Sequence, residues 1–507
     1  MPSKIFSAAI IGLDAQIIEV ETDVNYGLHS FTIVGLADKA VEESKERVEA
    51  AIKSAGFSPP HKQPLRVLVN LAPADLKKEG SFYDLPIALG FLAASKQLKA
   101  DFGNRIFIGE LALDGKLRPV KGVLAIASAI EEKGWGEIVL PKSNAQEASL
   151  IEGINVIGVD SLKEAVDFLE GRLVVPKIKT GVKDFFNGLK FPVELSWIKG
   201  QEHAKRALEI SSAGSHHLMM VGPPGAGKSL LAKSIPSLLP PLTFEEALEV
   251  TKIYSIAGLL PKEKPLMIQR PFRAPHHSSS EPALIGGGNP LQPGEITLSH
   301  RGILFLDEFP EFHRDVLEAL RQPMEEGQIT ILRSKARLTF PARFTLVAAS
   351  NPCPCGYYGD NEKECKCHPL QVQNYRRKLS GPLMDRMDLF IEVPRLKYEK
   401  LTAADVEGST QEAKTAILKA REIQKERYKS ENFFINSEIG IPQLKKYCRV
   451  DGQSENLLRK YVDSAKLSAR GYHRVLKLSR TIADLEGSEN ILYDHVAEAL
   501  MYRIKED

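Results

Sequence analysis

Residues 222–229 read Gly222-Pro223-Pro224-Gly225-Ala226-Gly227-Lys228-Ser229, between an apolar run at 217–221 and an apolar helical pattern at 230–239. A glycine-rich turn between a strand and a helix points its backbone amides inward, as the phosphates of a nucleotide require. In such a loop the lysine pairs with the β- and γ-phosphates and the serine hydroxyl binds Mg²⁺. We therefore predict that these eight residues bind ATP and Mg²⁺, with Lys228 and Ser229 in those two roles.

An acidic pair follows a second apolar run. Residues 302–306 are apolar, and Asp307 and Glu308 come directly after them. In open parallel sheets, ligands bind at the carboxyl ends of the strands, where this pair is expected to lie. We predict that Asp307 holds Mg²⁺ through water and that Glu308 orients and activates the water that attacks the γ-phosphate.

Three more polar residues come in an order that suits ATP hydrolysis. Asn351 ends the apolar pattern of residues 343–350, and we predict that it senses the γ-phosphate and the attacking water. Arg386 precedes the apolar run 389–393, where an arginine is placed to stabilise the transition state at a neighbouring subunit's γ-phosphate. Arg470 opens a predicted helix, and we expect it to couple the position of that helix to the nucleotide state. A single arginine is more often a surface residue, so these roles depend on the order along the chain.

Composition and charge restrict the class of protein. The chain of 507 residues is too long for one hydrophobic core, and 43% hydrophobic with 26% charged residues is typical of soluble folded domains. A net charge of +2 restricts any nucleic-acid contact to local patches. No apolar run reaches the roughly 18 to 20 residues of a membrane span, and residues 1–14 read as a strand and not as a signal peptide. We expect a cytoplasmic protein without a membrane partner.

Hydrophobic patterning divides the chain into four parts. Residues 1–172 alternate apolar strands with helical stretches, as an α/β domain does, and residues 191–395 form a second α/β region. Residues 173–190 lack periodicity and read as a linker, whereas residues 396–507 carry apolar residues at helical spacings of three and four. The predicted fold class is α/β and multidomain, with a C-terminal α-helical domain. Within the first part, strands are predicted at residues 30–34, 66–71 and 154–159, and helices at 40–54 and 86–95.

The order of these motifs resembles that of the AAA+ ATPases, and in particular their magnesium chelatase-like branch. Gln201 lies at the start of the predicted ATPase region, as a glutamine does in that branch. Residues 255–300 fall where the branch carries an insert in its second helix. Residues 328–341 fall where it carries a β-hairpin before the first sensor, which is Asn351 here. Over essentially the whole chain the resemblance is to the ComM/YifB family. It is carried by residues 1–172, the segment 270–277 (Arg-Pro-Phe-Arg-Ala-Pro-His-His), a four-cysteine insert and residues 471–474 (Gly-Tyr-His-Arg).

This resemblance implies a function. Members of the ComM/YifB family are hexameric ATPases that drive branch migration of DNA junctions during homologous recombination and natural transformation. The resemblance therefore implies a homohexamer that acts on branched or single-stranded DNA, couples ATP hydrolysis to translocation, and uses residues 396–507 as a lid. A protein-remodelling ATPase of the magnesium-chelatase type, acting on a partner protein, is the second class. A DNA-binding scaffold without catalysis is the third.

Residues 69–86 and 109–120 carry a resemblance of residues 1–172 to the Lon-protease-like fold. A Lon protease needs a serine nucleophile activated by a lysine. Phe82 occupies the position of that serine, with Ser81 displaced by one residue, and the lysine position falls near Leu124. We expect this domain to be proteolytically inactive, with an ATP-dependent protease as the alternative. Five basic residues are either phosphate contacts or parts of an ordinary solvated face: Lys77, Lys78, Lys116, Arg118 and Lys121.

The predicted hairpin carries a basic tip. Arg333, Lys335 and Arg337 have no acidic residue among them. Six copies around a central pore would contact DNA phosphates, which positions a strand without reading its bases. The alternative is a solvated hairpin end. The role of His276 and His277 stays open between metal ligands and residues near the DNA or the ring interface.

Four of the five cysteines lie close together in the sequence. Cys353 and Cys355 form one Cys-x-Cys pair, and Cys365 and Cys367 form a second after nine intervening residues. Four grouped thiolates complete a tetrahedral site that folds a small loop, so we predict structural Zn²⁺ here. Unligated thiols and two disulfides are the alternatives. Cys448 stands apart and reads as a core residue.

Overall fold

The computed structural model describes residues 2–178, 191–261, 264–288, 291–333, 336–360, 362–379, 381–396 and 409–503. These residues form two compact units. The first unit contains residues 2–178, together with 244–261, 264–268, 288, 291 and 292, and the second contains the other described residues. Lys335, residues 179–190 of the predicted linker and residues 397–408 lie outside the described part of the chain.

A mixed β-sheet lies at the centre of the first unit. The strands of this unit are β1 (Ser3–Ile11), β2 (Asp14–Tyr26), β3 (Ser30–Val34), β4 (Leu65–Ala72), β5 (Arg105–Phe107), β6 (Glu110–Leu111), β7 (Leu117–Arg118), β8 (Glu137–Pro141) and β9 (Asn155–Val159). The sheet runs in the order β3-β4-β2-β1-β5-β8-β9, and β6 pairs with β7. β2 is antiparallel to both of its neighbours, whereas the remaining pairs of the sheet are parallel. The strands predicted at residues 30–34, 66–71 and 154–159 are confirmed.

The helices of the first unit follow from its apolar patterning. They are α1 (Lys39–Glu42), α2 (Ser44–Ser54), α3 (Asp84–Ala94), α4 (Val123–Glu132), α5 (Ala145–Ala148) and α6 (Leu162–Leu169). α3 is buried on every side from Asp84 to Leu92, as an apolar helix without a polar face must be. α2 instead buries one face through Val48 and Ile52, which are four residues apart. The predicted helix at 40–54 is divided at Glu43 into α1 and α2, and α3 is the helix predicted at 86–95.

Lys78 is among the most deeply buried side chains of the first unit, with no exposed surface. Its backbone bonds to Leu36 and Asp38, and its Nζ donates to the Pro73 carbonyl. Burial lowers the pKa of Lys78. The prediction that Lys78 contacts a phosphate is therefore wrong, because a fully buried ammonium cannot reach a ligand in solvent. The other four basic residues of that set are exposed: Lys77, Lys116, Arg118 and Lys121.

In the described chain, a five-stranded parallel sheet forms the centre of the second unit. The elements between residues 202 and 392 are α7 (Glu202–Gly214), β10 (Leu218–Val221), α8 (Lys228–Leu238), α9 (Phe244–Ala257), β11 (Phe272–Arg273), α10 (Glu281–Ile285), β12 (Gly286–Gly287), β13 (Gln292–Pro293), α11 (Glu295–Leu298), β14 (Ile303–Leu306), α12 (Arg314–Ala319), α13 (Arg321–Glu326), β15 (Gln328–Arg333), β16 (Ala336–Pro341), β17 (Thr345–Ser350), α14 (Pro369–Arg377), α15 (Gly381–Met384) and β18 (Leu389–Glu392). The sheet order is β11-β14-β17-β10-β18, with every pair parallel. β15 and β16 form the predicted antiparallel hairpin.

One helix from this stretch of sequence packs in the first unit. α9 lies against α4. Ser255 Oγ donates to the buried carboxylate of Glu147, and the Gly122 N–H donates to the Ser255 carbonyl at 3.2 Å. The region that the sequence assigns to the ATPase core, residues 191–395, therefore contains a segment that folds with the first unit.

The described residues 409–503 are largely helical, in agreement with the pattern of the sequence. The helices are α16 (Ser409–Arg427), α17 (Ile441–Tyr447), α18 (Gly452–Asp463), α19 (Ala469–Leu485) and α20 (Tyr493–Met501). Ile417 of α16 and Ile482 of α19 are fully buried in the same core as Leu218 of β10, so these helices pack with the elements around the sheet. Cys448 is buried in that core, as predicted. In the part of the chain that is described, no helix combines the length and the hydropathy that crossing a lipid bilayer requires.

Candidate functional site

The predicted nucleotide loop lies between β10 and α8, at the carboxyl edge of the parallel sheet. Gly227 has a φ of +90°, a left-handed conformation that glycine adopts without strain, and it directly precedes Lys228 at the start of α8. The loop therefore ends at a helix N-terminus, where free backbone N–H groups favour anions. Lys228 Nζ is buried and donates to Gly222 O at 2.6 Å and to Pro223 O at 3.0 Å, and burial lowers the pKa of Lys228. The ammonium group thus lies inside the loop that the sequence assigns to phosphate.

The acidic pair follows β14 at the same edge of the sheet. Ser229 Oγ donates to Asp307 Oδ2 at 2.6 Å, so the two predicted Mg²⁺ ligands are adjacent. Carboxylate and hydroxyl oxygens are ligands that Mg²⁺ accepts, and the donor set fits that ion. Glu308 has φ +52° and ψ +43°, a left-handed conformation that is uncommon for a residue with a side chain. Strained positions of this kind cluster at functional sites.

Asn351 lies between the nucleotide loop and the acidic pair, because β17 is flanked by β10 and β14. Its Oδ1 is 3.2 Å from Lys228 Nζ. Val221 pairs with Ser350 and Leu306 pairs with Ala348, so β10 and β17 end at the same level and β14 ends two residues earlier. The structure therefore brings together residues from three segments that are far apart in the sequence: Lys228 and Ser229, Asp307, and Asn351.

His277 contacts the predicted water-activating residue. Its Nδ1 lies 2.9 Å from Glu308 Oε2, and its ring packs on the ring of His276 with the centroids 4.1 Å apart. An imidazole bound to one carboxylate oxygen restricts the direction of the other, so His277 restricts the orientation of the Glu308 carboxylate. Sequence reasoning left the role of His277 open, because no spacing rule connects the segment 270–277 to the acidic pair.

Glu325 of α13 contacts both arginines that the sequence selects. Arg386 Nη2 is 2.5 Å from Glu325 Oε1, and Arg386 Nη1 donates to the Pro382 carbonyl. Arg386 is only 7% exposed. Arg470 Nη2 lies 3.7 Å from the same carboxylate oxygen, and the Arg470 side chain is 59% exposed. Sequence reasoning did not select Glu325, since the acidic pair Glu325 and Glu326 before the hairpin matches no recognisable motif.

A buried ion pair connects α19 to the sheet. Arg474 pairs with Asp388, and Asp388 Oδ2 accepts the His217 N–H at 2.9 Å. Burial opposes the ionisation of Asp388, but Arg474 and His216 hold its pKa well below the usual value. His217 directly precedes β10 and Asp388 directly precedes β18. The helix that carries Arg470 is therefore joined to the strand that leads into the nucleotide loop.

The hairpin of β15 and β16 carries the predicted DNA contacts. Arg337 is exposed and pairs in register with Leu332. The hydroxyls of Thr330 and Thr339 lie 3.1 Å apart across the two strands. The backbone of Arg333 ends β15, whereas its side chain and the whole of Lys335 lie outside the described part of the chain.

The four clustered cysteines meet in space as free thiols. Sγ of Cys353 is 3.4 Å from Sγ of Cys355 and 3.7 Å from Sγ of Cys365, and the ligand atoms of all four lie within 4.8 Å of one another. Four sulfurs at about 2.3 Å from a tetrahedral Zn²⁺ are about 3.8 Å apart, so this donor set fits structural zinc. The Tyr357 N–H lowers the pKa of Cys355, whereas the neighbouring thiols raise the pKa of Cys365 and Cys367, so the first thiolate of the cluster forms at Cys355.

Ser81 in the first unit is hydrogen-bonded to a carboxylate. Its Oγ donates to Glu110 Oε2, and Glu110 Oε1 also pairs with Arg118 Nη1 at 3.2 Å. Phe82, at the position expected of a protease serine, is 8% exposed, and Leu124, near the position expected of the lysine, is 1% exposed. Both positions therefore belong to the core.

Three family models match the chain. "Magnesium chelatase, subunit ChlI" matches residues 194–401, "Subunit ChlI of Mg-chelatase" matches residues 20–144, and "Magnesium chelatase, subunit ChlI C-terminal" matches residues 407–503. Together with the parallel sheet and the nucleotide loop, these matches define a magnesium chelatase-like protein with a P-loop fold of the AAA+ type.

Relatives match over nearly the whole chain. It is 45% identical to "Competence protein ComM" of Haemophilus influenzae, over 98% of this chain and 97% of that protein. It is 43% identical to "Uncharacterized protein YifB" of Escherichia coli, over 99% of this chain and 97% of that protein. A more distant match is "DNA replication licensing factor Mcm6" of Drosophila melanogaster, 26% identical over 41% of this chain and 25% of that protein. The chain belongs to the ComM/YifB family of magnesium chelatase-like proteins, which confirms the resemblance seen in its motifs.

Proposed function

We propose that this protein is a cytoplasmic, homohexameric AAA+ ATPase that uses ATP hydrolysis to move DNA and promotes branch migration in homologous recombination and natural transformation. The observation that carries the ATPase part is the meeting of Lys228, Ser229, Asp307 and Asn351 at one edge of the parallel sheet. The DNA part is supported by membership of the ComM/YifB family and by the name of the Haemophilus relative, a competence protein.

Each residue of the nucleotide site has one task in this proposal. When ATP binds, Lys228 Nζ would leave the carbonyls of Gly222 and Pro223 and donate to the β- and γ-phosphates. The backbone amides of the loop would bind the same phosphates. Ser229 would bind Mg²⁺ directly and Asp307 would bind it through water. Bound Mg²⁺ neutralises charge that develops on the phosphates. Glu308 orients and activates the attacking water, and Asn351 senses that water and the γ-phosphate.

A ring would complete the site with arginines. Arg386 of a neighbouring subunit would reach the γ-phosphate, and Arg470 would report the nucleotide state to the helical lid, residues 396–507. Arg386 Nε is buried and has no hydrogen-bond partner among the described residues, which leaves a donor for a ligand from outside the chain. A buried unpaired donor costs free energy, so a partner in the ring would stabilise this arrangement.

The hairpin supplies the proposed DNA contacts. Arg337 is exposed, and Arg333 and Lys335 belong to the same basic tip. The match to a DNA replication licensing factor over part of the chain also favours DNA as the substrate. Contacts to phosphates bind any sequence, so we expect branched or single-stranded DNA to be bound without base specificity.

The remaining sites have structural roles in this proposal. Cys353, Cys355, Cys365 and Cys367 hold Zn²⁺, which folds their loop. The N-terminal domain, residues 1–172, is Lon-protease-like and proteolytically inactive. Its inactivity is supported by the bond from Ser81 to Glu110 and by the buried Phe82.

A protein-remodelling ATPase of the magnesium-chelatase type is the second candidate. It is favoured by the family models, whose descriptions name a magnesium chelatase subunit. This candidate predicts an ATPase that is stimulated by a partner protein and is unaffected by DNA. A scaffold without catalysis is the third candidate, and it requires Glu308→Gln to leave function intact.

The test is ATPase activity of the full chain with and without forked DNA, together with a mass measurement in the presence of ATP. We expect a hexamer and a rate that DNA stimulates, with the stimulation falling between about 50 and about 200 mM salt as phosphate contacts weaken. Arg337→Ala and Lys335→Ala should lower the ratio of the stimulated to the basal rate. Arg337→Lys keeps the charge and should keep most of that ratio.

The outcomes separate the candidates. A rate that forked and single-stranded DNA leave unchanged would rule out the DNA motor while leaving the ATPase assignment in place. Glu308→Gln should bind ATP but hydrolyse it at least 100-fold more slowly, on the order of 3 kcal/mol in the barrier. Full branch migration by Glu308→Gln would instead favour the scaffold.

A further inference from the structure

The loop that holds the four cysteines lies directly against the nucleotide loop. We call this loop, residues 353–360 and 362–367, the cysteine knuckle. It begins two residues after Asn351 and has no regular helix or strand. Its Cys353 is fully buried, and the Cys355 N–H donates to Cys367 Sγ at 3.4 Å, so the two Cys-x-Cys pairs close on each other. A loop of this kind depends on its metal for a fixed conformation.

The first contact between the two loops is the close approach of Gly356 to Pro224. Gly356 is buried with a φ of +85°, and a Cβ placed on it would lie 2.5 Å from Pro224 Cδ and 2.6 Å from Pro224 Cγ. Only glycine permits this approach without displacing one of the two loops. The backbone of the knuckle therefore packs on the proline ring that precedes Gly225 of the nucleotide loop.

The second contact runs through Arg395, which follows β18. Its Nη2 donates to the Pro224 carbonyl at 3.3 Å. The same guanidinium lies 3.5 Å from Asp360 Oδ2 and 5.2 Å from the centre of the Tyr357 ring, and both of these residues belong to the knuckle. Arg395 therefore bonds to the nucleotide loop on one side and to the knuckle on the other.

We propose that the metal-loaded cysteine knuckle is a structural support of the nucleotide site, which holds Pro224 through Gly356 and Arg395 so that Zn²⁺ loading controls the affinity for ATP and ADP. This inference rests on the proposed ATP and Zn²⁺ sites and goes beyond them, because it assigns the metal an effect on nucleotide binding. Phosphate binding requires the backbone amides of the loop to point inward together. A loop released on the Pro224 side would have to be ordered when the nucleotide binds, and that ordering lowers affinity.

Two arginines from outside the knuckle, each packed on one of its tyrosines, provide a matched test. Arg395 lies over Tyr357 at 5.2 Å, and Arg376 lies over Tyr358 at 4.9 Å. Arg395 also bonds to the Pro224 carbonyl, and among the described residues Arg376 has no such bond to the nucleotide loop. We expect Arg395→Ala to bind a fluorescent ADP analogue about tenfold more weakly, which corresponds to about 1.4 kcal/mol. Arg376→Ala should bind it as the unchanged protein does, and both variants should retain one Zn²⁺ per subunit by elemental analysis.

Removal of the metal tests the same link from the other side. Full-length protein stripped of Zn²⁺ by a chelator, then returned to excess Mg²⁺, should also bind the ADP analogue about tenfold more weakly or worse. Added Zn²⁺ should restore the affinity. Cys365→Ser with Cys367→Ser should reproduce the loss, whereas Gly356→Ala should keep its metal and still bind more weakly.

The proposal is overturned if Zn²⁺-free protein binds the ADP analogue with unchanged affinity, if Arg395→Ala does so, or if the purified protein neither contains nor takes up Zn²⁺. Arg395→Ala and Gly356→Ala keep the test valid even if the double cysteine variant fails to fold. Binding is measured without DNA, so a missing response to DNA would count against the motor function alone.

Discussion

Glu325 Oε1 lies 2.5 Å from Arg386 Nη2, and Arg470 approaches the same oxygen at 3.7 Å. One carboxylate therefore contacts the two arginines to which the proposed mechanism gives different tasks. Glu325 lies on α13, which ends at Glu326, two residues before the hairpin begins at Gln328. If the hairpin binds DNA as proposed, a movement of the hairpin would change the restraint on both arginines and would connect DNA binding to the nucleotide site.

Glu325→Gln should raise the ATPase rate in the absence of DNA and lower the stimulation by DNA. The amide keeps the shape of the side chain but loses the charge that restrains Arg386 and Arg470. Loss of about 1 kcal/mol of restraint corresponds to about a fivefold rise in the basal rate. Glu326→Gln, one residue further on the same helix, is the control and should behave as the unchanged protein does. A basal rate that falls in Glu325→Gln would show that this carboxylate assists the arginines and does not restrain them.

His277→Ala should change hydrolysis while leaving nucleotide affinity intact. His277 contacts Glu308 Oε2, whereas Lys228, the proposed phosphate ligand, bonds to the carbonyl of Gly222. Removing the imidazole therefore leaves the proposed phosphate contacts unchanged. We expect kcat to fall about tenfold, since a misdirected carboxylate orients the water less well, and KM to stay within about twofold. His276→Ala is the control, because His276 Nδ1 bonds to Ser278 at 2.8 Å and, among the described residues, His277 is the histidine that pairs with Glu308. Equal losses in both variants would contradict a specific role for His277.

Asp484→Ala should destabilise the second unit by about 3 to 5 kcal/mol. The Asp484 carboxylate is fully buried and accepts from Arg427 Nη1 at 2.8 Å, Arg480 Nε at 3.1 Å and Asn436 Nδ2 at 2.9 Å. Removing it leaves the buried Arg480 and the partly buried Arg427 without their common acceptor. Chemical denaturation measures the loss in the free energy of unfolding, and the exposed Asp494→Ala on α20 serves as the control. A loss under about 1 kcal/mol would mean that solvent reaches this cluster.

Glu147→Gln should stabilise the first unit at pH 8 and have little effect at pH 4. Burial raises the pKa of Glu147 in the folded protein, although Ser255 and the Leu124 N–H donate to it. Because the folded pKa lies above the unfolded one, the stability contributed by the protonated carboxyl is complete at low pH and is lost as the pH rises through the folded pKa. Glutamine removes that titration. Thermal unfolding at both pH values measures the difference, with the exposed Glu152→Gln as the control; a difference that is equal at pH 4 and pH 8 would contradict the assignment.

Local chemistry explains which elements were predictable from the sequence. The strand, loop and helix around Lys228 are specified by neighbouring residues, since glycine conformation, apolar runs and a helix start are local properties. The same holds for the hairpin and for α19, which begins at Ala469 as its pattern indicates. The proximity of Asp307 to Ser229 was also predictable, because ligands of parallel sheets meet at the carboxyl ends of strands.

Contacts that depend on how segments fold back were not predictable. The bonds from His277 to Glu308 and from Arg386 to Glu325 join residues that no sequence periodicity relates. The burial of Lys78 was not predictable from the sequence either. Three lysines and an arginine of the same candidate set are exposed, and nothing in its flanking sequence distinguishes Lys78 as the buried one.

The packing of α9 on α4 divides the first unit between two stretches of sequence. A protein cut once within residues 179–190 would consist of two polypeptides, and the longer one would still carry a helix that belongs to the fold of the shorter one. Fragments 1–178 and 191–507, produced separately, should therefore recombine by fragment complementation. For the same reason, residues 191–507 alone would expose the side of α9 that bears Ser255, and a stable isolated ATPase core would need residues 244–268 replaced by a short connection.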